Sequence, residues 1–184
     1  MNLLIHRLPT KDKYGHEIKT SFRNWINFQL AMNDDAMKEE ERILCGVNSV
    51  YDLRPEFDDK YILERVDGAL SFLNGWQTQI NETAGTRERV LDFNIDAPQI
   101  YASFYMQYGI DLTSARLHWY QFMPLLINLK QDTPQGYIMS IRGCKIEGTK
   151  EQREFLQKQK NLYRIDYIDY DPQEIVKKYT KKEV

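Results

Sequence analysis

The stretch YGIDLTSARLHWYQFMPLL, residues 108–126, sets Arg116, His118, Trp119, Tyr120 and Gln121 inside a run that is otherwise almost wholly apolar. Its reading decides whether the chain is organised around a catalytic pocket, a buried scaffold or a recognition surface. Placed on a helix over 113–129, at about 100° per residue, Ser114, His118, Gln121 and Asn128 share one narrow stripe with Leu125. Nearly every other position is apolar, and so thin a polar edge predicts a mostly buried helix at the centre of the core. Pro124 lies inside it and removes a ladder hydrogen bond, which predicts a kink or break around Tyr120 to Phe122.

On this helix His118 reads as a hydrogen-bonded histidine at the edge of the core, because its neighbours supply no nucleophile to activate. Arg116 falls on the opposite side among apolar residues. Two readings stay open for it: a packed stem whose head pairs with Asp92, Asp96 or Asp111, or an arginine anchor at a protein interface. For the segment as a whole the order is buried scaffold, then recognition surface, then active site.

The rest of the chain is read outward from there. Of 184 residues, 42% are apolar and 28% charged, enough to bury a core and too apolar for wholesale disorder. The expectation is a single helical domain over 1–184, with 1–20 an extended arm or hairpin and 145–184 a charged helical extension. Basic and acidic residues number 25 and 27, a net charge of −2, which does not call for nucleic acid or an anionic membrane as partner. Twelve Tyr, eight Phe and three Trp suit a core with wet edges or an interface alike. Cys45 and Cys144 have no metal-ligand spacing and read as free thiols in a reducing cytosol. MNLLIHRLPTKDKYG shows no secretory pattern, and no window nears the roughly 18 apolar residues of a membrane span.

Periodicity and caps predict the elements. A turn signal at Tyr14-Gly15 predicts a small N-terminal β-hairpin, or else a loosely held arm. Phe22, Trp25, Ile26, Gln29 and Leu30 predict a helix capped by Thr20 or Ser21 and ending near Met32. Asp34 and Asp35 cap a charged helix, AMKEEERILCGV, that stops near Gly46. A connector follows, with Pro55 inside it. Asp58 or Asp59 opens a third helix, with Tyr61, Ile62, Arg65, Val66, Ala69, Leu70 and Leu73 apolar-side and an end near Gly75-Trp76. Residues 77–90 are the most polar internal stretch. Asp96 caps a helix with Pro98 in its first turn, Ile100, Phe104 and Tyr108 on one face, and Gly109 at its end. Thr133, Pro134 and Gly143 bracket a short helix, Thr149 opens a charged one, and DPQEIVKKYTKKEV supplies a last short helix with a basic end. The sum is a mainly α fold of seven or eight helices.

Motifs for chemistry are absent. His6, His16 and His118 include no pair at helical zinc spacing, and no phosphate-binding glycine loop, hydrolase elbow, HExxH or EF-hand loop occurs. Asp92 and Asp96 read better as a connector and helix cap than as a shared metal site. Asp166, Asp169 and Asp171 read as a solvated acidic turn, and KKYTKK (177–182) as a solvated tail. No enzyme activity, cofactor or metal is expected.

DFNIDAPQIYASFYMQYGIDLTSARLHWYQFMPLLINLKQDTPQGYIMSIR, residues 92–142, resembles the core of a tailed-phage family, the bacteriophage "gp fifteen" proteins. The matching elements are Asp92-Phe93, Asp96, Phe104, the run Tyr108-Gly109-Ile110-Asp111-Leu112, Leu117-His118-Trp119 and Phe122. Leu125-Leu126, Leu129 and Ile141-Arg142 follow. EIKTSFRNWINF resembles the family's passage from hairpin to first helix, whereas the chain after about residue 150 matches only in general character. Within this core Tyr108, Asp111, Arg116, His118, Trp119, Phe122 and Arg142 stand as candidate scaffold or interface residues. The resemblance implies a protein encoded beside the tape-measure gene of siphophages and prophages of Gram-positive bacteria. Its implied role is that of a non-enzymatic tail assembly chaperone that binds the tape-measure protein in the host cytoplasm. Other tail assembly proteins and further copies of the chain itself are the remaining expected partners. The alternative is a structural component kept in the mature tail.

Overall fold

The computed structural model describes residues 2–53, 58–75 and 89–165. Seven helices occur among them: α1 (Phe22–Met32), α2 (Glu39–Val50), α3 (Asp59–Asn74), α4 (Ala97–Tyr108), α5 (Trp119–Ile127), α6 (Pro134–Gly143) and α7 (Lys150–Leu162). The fold is mainly α, as the sequence predicts. Residues 76–88, the acidic turn and the last helix expected beyond 165 lie outside the described residues, as does Pro55.

Several helix starts follow directly from their caps. Asp58 accepts the Tyr61 N–H, Thr133 the Gly136 N–H and Thr149 the Gln152 N–H. Each side-chain oxygen takes up one of the orphan donors of a first turn. Gln152 returns the favour to the Thr149 N–H at 2.9 Å, which completes a capping box. The N-terminal turn is present, with Gly15 at φ 86°, but it is held by a single antiparallel bridge between Lys11 and Glu17 and forms no strand.

Two expectations are corrected. α2 starts at Glu39 and does not stop at Gly46 but runs through it to Val50. A Cβ at Gly46 would sit 2.8 Å from Met32 Sδ, so the glycine is there to let α1 approach, not to end the helix. The helix expected over 113–129 begins only at Trp119. Residues before it pair with the start of α1 instead: Phe22 N–H donates to Leu117 O at 3.1 Å and Trp119 N–H to Thr20 O at 2.7 Å. Pairing with a distant segment outcompetes local helix propensity. Pro124 does lie inside the helix, without ending it.

By internal packing the described residues form two compact units, one containing 2–75 with Arg116–Met123 and the other 89–115 with 124–165. The first unit is organised around Trp25, which is fully buried. Its ring stacks on Phe72 (5.0 Å between centroids, 6° between planes) and meets Phe28 and Trp119 at 5.5 and 6.1 Å. Phe22 stacks on Phe122 at 4.7 Å. In the second unit Phe93, Ile100, Phe104, Leu126, Ile138 and Ile141 are buried. There α6 comes close to the preceding turn because Gly136 has no Cβ; one would lie 1.9 Å from Lys130 O.

The Trp25 indole N–H meets no hydrogen-bond acceptor among the described residues. Trp25→Ala is therefore expected to cost about 3–5 kcal/mol, whereas Trp25→Phe keeps the stack, removes an orphan donor and costs far less. Urea denaturation of the two variants checks this; equal losses would mean the indole nitrogen is satisfied.

Candidate functional site

His118, Trp119 and Tyr120 act together in the first unit. His118 occupies the N-cap of α5: its Nδ1 accepts the Tyr120 N–H at 3.0 Å, and Gln121 Oε1 accepts the His118 N–H at 3.0 Å. Its Nε2 lies 2.9 Å from Pro9 O. These partners assign a neutral ring protonated on Nε2. Trp119 Nε1–H donates to Leu73 O at 3.0 Å and the Tyr120 hydroxyl to Phe72 O at 2.8 Å. Both acceptors are last-turn carbonyls of α3, and Phe72 O also accepts the Gly75 N–H at 3.1 Å. Burial pushes the Tyr120 phenol up to about 12, so it remains a donor at neutral pH. Gly75 makes room for it, since a Cβ there would meet the Tyr120 hydroxyl oxygen at 2.3 Å. The chemistry of this cluster is capping. All three side chains are spent on backbone carbonyls.

The second unit holds an ionic counterpart. Arg142 donates from Nη1 and Nη2 to the two carboxylate oxygens of Asp96, at 2.5 and 2.9 Å, and from Nε and Nη1 to Tyr163 O and Val90 O. Both side chains are almost wholly buried. Gln135 Nε2 donates to Asp96 Oδ2 at 3.2 Å, and the Gln135 N–H to Ser103 Oγ at 2.8 Å. Asp96 stands at the N-cap of α4 as predicted but makes no side-chain cap bond. Arg142, not Arg116, supplies its cation. Arg116 is exposed and makes no ion pair among the described residues, which corrects the expectation of a packed stem. Asp92 is committed to its own turn, accepting from the Asn94 and Ile95 N–H groups, with Arg89 Nη2 at 3.2 Å.

The remaining predicted residues are structural in their contacts. The Tyr108 hydroxyl donates to Leu125 O at 2.9 Å, and burial raises its pKa. Asp111 Oδ1 accepts from both the backbone and the hydroxyl of Thr113, bonds that hold its carboxyl below the usual range. Trp119 and Phe122 are buried. The structure thus brings His118, Trp119 and Phe122 together in one unit and leaves Arg142 with Asp96 in the other.

Sequence reading missed a third cluster. Asp12 is buried beneath the N-terminal turn, where it accepts from the Tyr51 hydroxyl at 2.7 Å and from the Tyr14 and His16 N–H groups. Arg65 lies over the Tyr51 and Tyr61 rings, and burial lowers its pKa. His16 pairs with Glu64, and Tyr14 and Lys13 with Asp67. An isolated Asp in a turn gives no sequence signal of this kind. Among the described residues no three His, Cys, Asp or Glu side chains are placed to hold a metal. A recess of about 340 Å³ in the second unit is lined by Arg89, Arg142, Gln157, Lys160, Asn161 and Arg164, with no nucleophile beside a base.

Two surfaces stand out instead. α4 has no charged residue in its twelve positions. Its inward stripe is Ile100 and Phe104, and a second apolar stripe at i, i+3, i+4, i+7 and i+8 comprises Pro98, Tyr101, Ala102, Tyr105 and Met106. A helix apolar on both sides is ordinarily buried. Here Tyr105 and Met106 are 59% and 64% exposed, beside exposed Ile95 and Tyr101, and the rings of Tyr101 and Tyr105 stack at 6.4 Å. On α7, Phe155 and Leu162 are exposed and no residue is buried. Among the described residues of α1 to α3 no large apolar side chain is exposed.

Comparison with known families assigns the class. The model described as Bacteriophage Gp15 protein matches residues 4–165, which makes this a phage structural or assembly protein. The chain belongs to the bacteriophage Gp15 family. No curated protein and no solved structure matches it. No helix among the described residues is long and apolar enough to cross a membrane.

Two outcomes follow from the polar clusters. Burial holds the His118 pKa below its ordinary 6.5, so the unfolded chain takes up a proton near that pH that the folded chain refuses. The stability held by neutral His118 is full above about pH 6.5 and is lost as pH falls from there towards the folded value. The thermal midpoint should drop between pH 7.5 and 5.5, and His118→Gln should flatten that drop; parallel profiles would show that the ring is not the titrating group. Separately, Asp96→Asn leaves a buried guanidinium uncompensated and should cost about 3–5 kcal/mol by chemical denaturation.

Proposed function

We propose that this chain is a non-enzymatic tail assembly chaperone that binds the tape-measure protein in the host cytoplasm while the tail is being built. The observation that supports this most is the outward stripe of α4. A helix with no charge, apolar on two faces and uncovered on one, matches a partner helix that must hide apolar surface of its own. A long amphipathic tape-measure chain offers many such faces before the tube encloses it. Weak contacts repeated along it would hold by avidity and still release.

Co-expression with overlapping tape-measure segments, read by size exclusion with light scattering, tests the proposal. A soluble complex of defined mass is expected with segments that are insoluble alone. Met106→Glu, at an exposed position, should weaken that complex at least about tenfold, the effect of losing about 1.4 kcal/mol, with an unchanged thermal midpoint. Absence of a complex with every segment, with the protein present at stoichiometric amounts in purified virions, would replace this reading by a component of the mature tail.

A further inference from the structure

The recess of about 340 Å³ in the second unit is lined by four cations, Arg89, Arg142, Lys160 and Arg164, and by the amides of Gln157 and Asn161. Among the described residues no carboxylate lines it. Asp96 pairs with Arg142 and Asp92 lies 3.2 Å from Arg89, but neither acid is part of the lining. Sequence spacing accounts for the placement. Gln157, Lys160 and Asn161 stand three and four residues apart on α7 and so share one face, and Arg164 follows just past the helix end. Arg142 comes from α6, and Arg89 from the chain before α4.

Two details turn this basic recess into a site. Arg142 is only 7% exposed, and its four bonds, to Asp96, Val90 O and Tyr163 O, leave one of the five guanidinium N–H groups without an acceptor among the described residues. Asn161 Oδ1 accepts from Gln157 Nε2 at 2.9 Å, so what Asn161 still offers is its NH2 donor. Like charges set round one cavity repel each other, a cost that an anion relieves. We propose that the recess binds an oxyanion of the phosphate class, free or as a monoester. A carboxylate brings a single negative charge on two coplanar oxygens, the role Asp92 and Asp96 already fill. A phosphate carries about −1.5 to −2 and several acceptor oxygens directed in three dimensions, which suits donors that arrive from α6, α7 and the chain before α4. Arginine forks match such a group. The cations gather at one recess in a chain of net charge −2, which fits a discrete phosphate group and not a nucleic-acid backbone, whose binding needs an extended basic face. The inference is independent of the tape-measure reading.

Titration calorimetry and thermal unfolding of the full chain test this with inorganic phosphate and with a nucleoside monophosphate, each against sodium chloride at equal ionic strength. Saturable binding is expected, with a rise in thermal midpoint that chloride does not give. Equal affinity for the two probes makes the phosphate group alone the ligand; preference for the monoester makes an esterified phosphate the source. Gln157→Glu sets a carboxylate among the cations and Arg164→Glu reverses one of them, both at exposed positions. Each should weaken binding at least about tenfold, the loss of about 1.4 kcal/mol, with unchanged far-ultraviolet circular dichroism. Lys158→Glu reverses an exposed charge on α7 that does not line the recess, and should leave binding as it was. Absence of saturable binding for both probes overturns the proposal. So does an equal rise in chloride, or a loss with Lys158→Glu as large as that with Arg164→Glu.

Discussion

The C-terminal end of α3 presents its last-turn carbonyls to the start of α5, and the first unit is arranged around the bonds they accept there. Trp119 and Tyr120 donate to Leu73 O and Phe72 O while His118 reaches back to Pro9 O. Three consecutive residues therefore fasten the end of α3, the N-terminal segment and the start of α5. The same residues are also packing groups. The Trp119 ring meets Trp25, and Phe72 contacts both His118 and Tyr120. A hydrophobic layer supplies most of the free energy here and is non-directional; the carbonyl bonds fix where the layer sits.

The second unit solves a similar problem with charge. Arg142 spans Asp96, Val90 O and Tyr163 O, so one guanidinium ties the start of α4 to the chain before it and to the end of α7. A buried pair of this kind is weak evidence for stability, because both ions were taken out of water. Its contribution is positional. Donors fixed in one plane leave few arrangements of the surrounding backbone that keep these four bonds.

How much of this was legible depends on how local the cause is. Asp58, Thr133 and Thr149 were readable as caps because each acts within three residues of itself, and Gly109 ended its helix in a left-handed turn, at φ 66°. Gly46 looked like a helix end because the partner that requires it, Met32, belongs to another helix. Residues 113–118 had helical periodicity, but Ser114 and Ala115 close a turn on Asp111 O, and Leu117 and Trp119 bond to Phe22 and Thr20 across nearly a hundred positions of sequence. The site residues divide in the same way. His118 showed as a hydrogen-bonding group at the edge of an apolar run, whereas the choice between Arg116 and Arg142 for Asp96 turns on tertiary contact alone. In α4 the inward stripe was read and the outward one was not. Periodicity finds apolar faces; it does not say how many of them the fold will cover.

That uncovered face is informative because of where exposure is absent. α1 to α3 leave no large apolar side chain exposed among their described residues and pack an aromatic layer of stacked and tilted rings, so the chain is capable of covering such groups when packing alone decides. Leaving Tyr101, Tyr105 and Met106 in water forgoes roughly 25 cal/mol for each Å² of apolar surface and raises the risk of non-specific association. The placement of tyrosine there limits that risk, since its ring is apolar while its hydroxyl stays hydrated. Methionine adds a flexible side chain able to adapt to differing partner shapes. A face made this way favours tolerance over precise fit. It suits a protein that must meet many similar helical segments in succession better than one built to hold a single partner permanently.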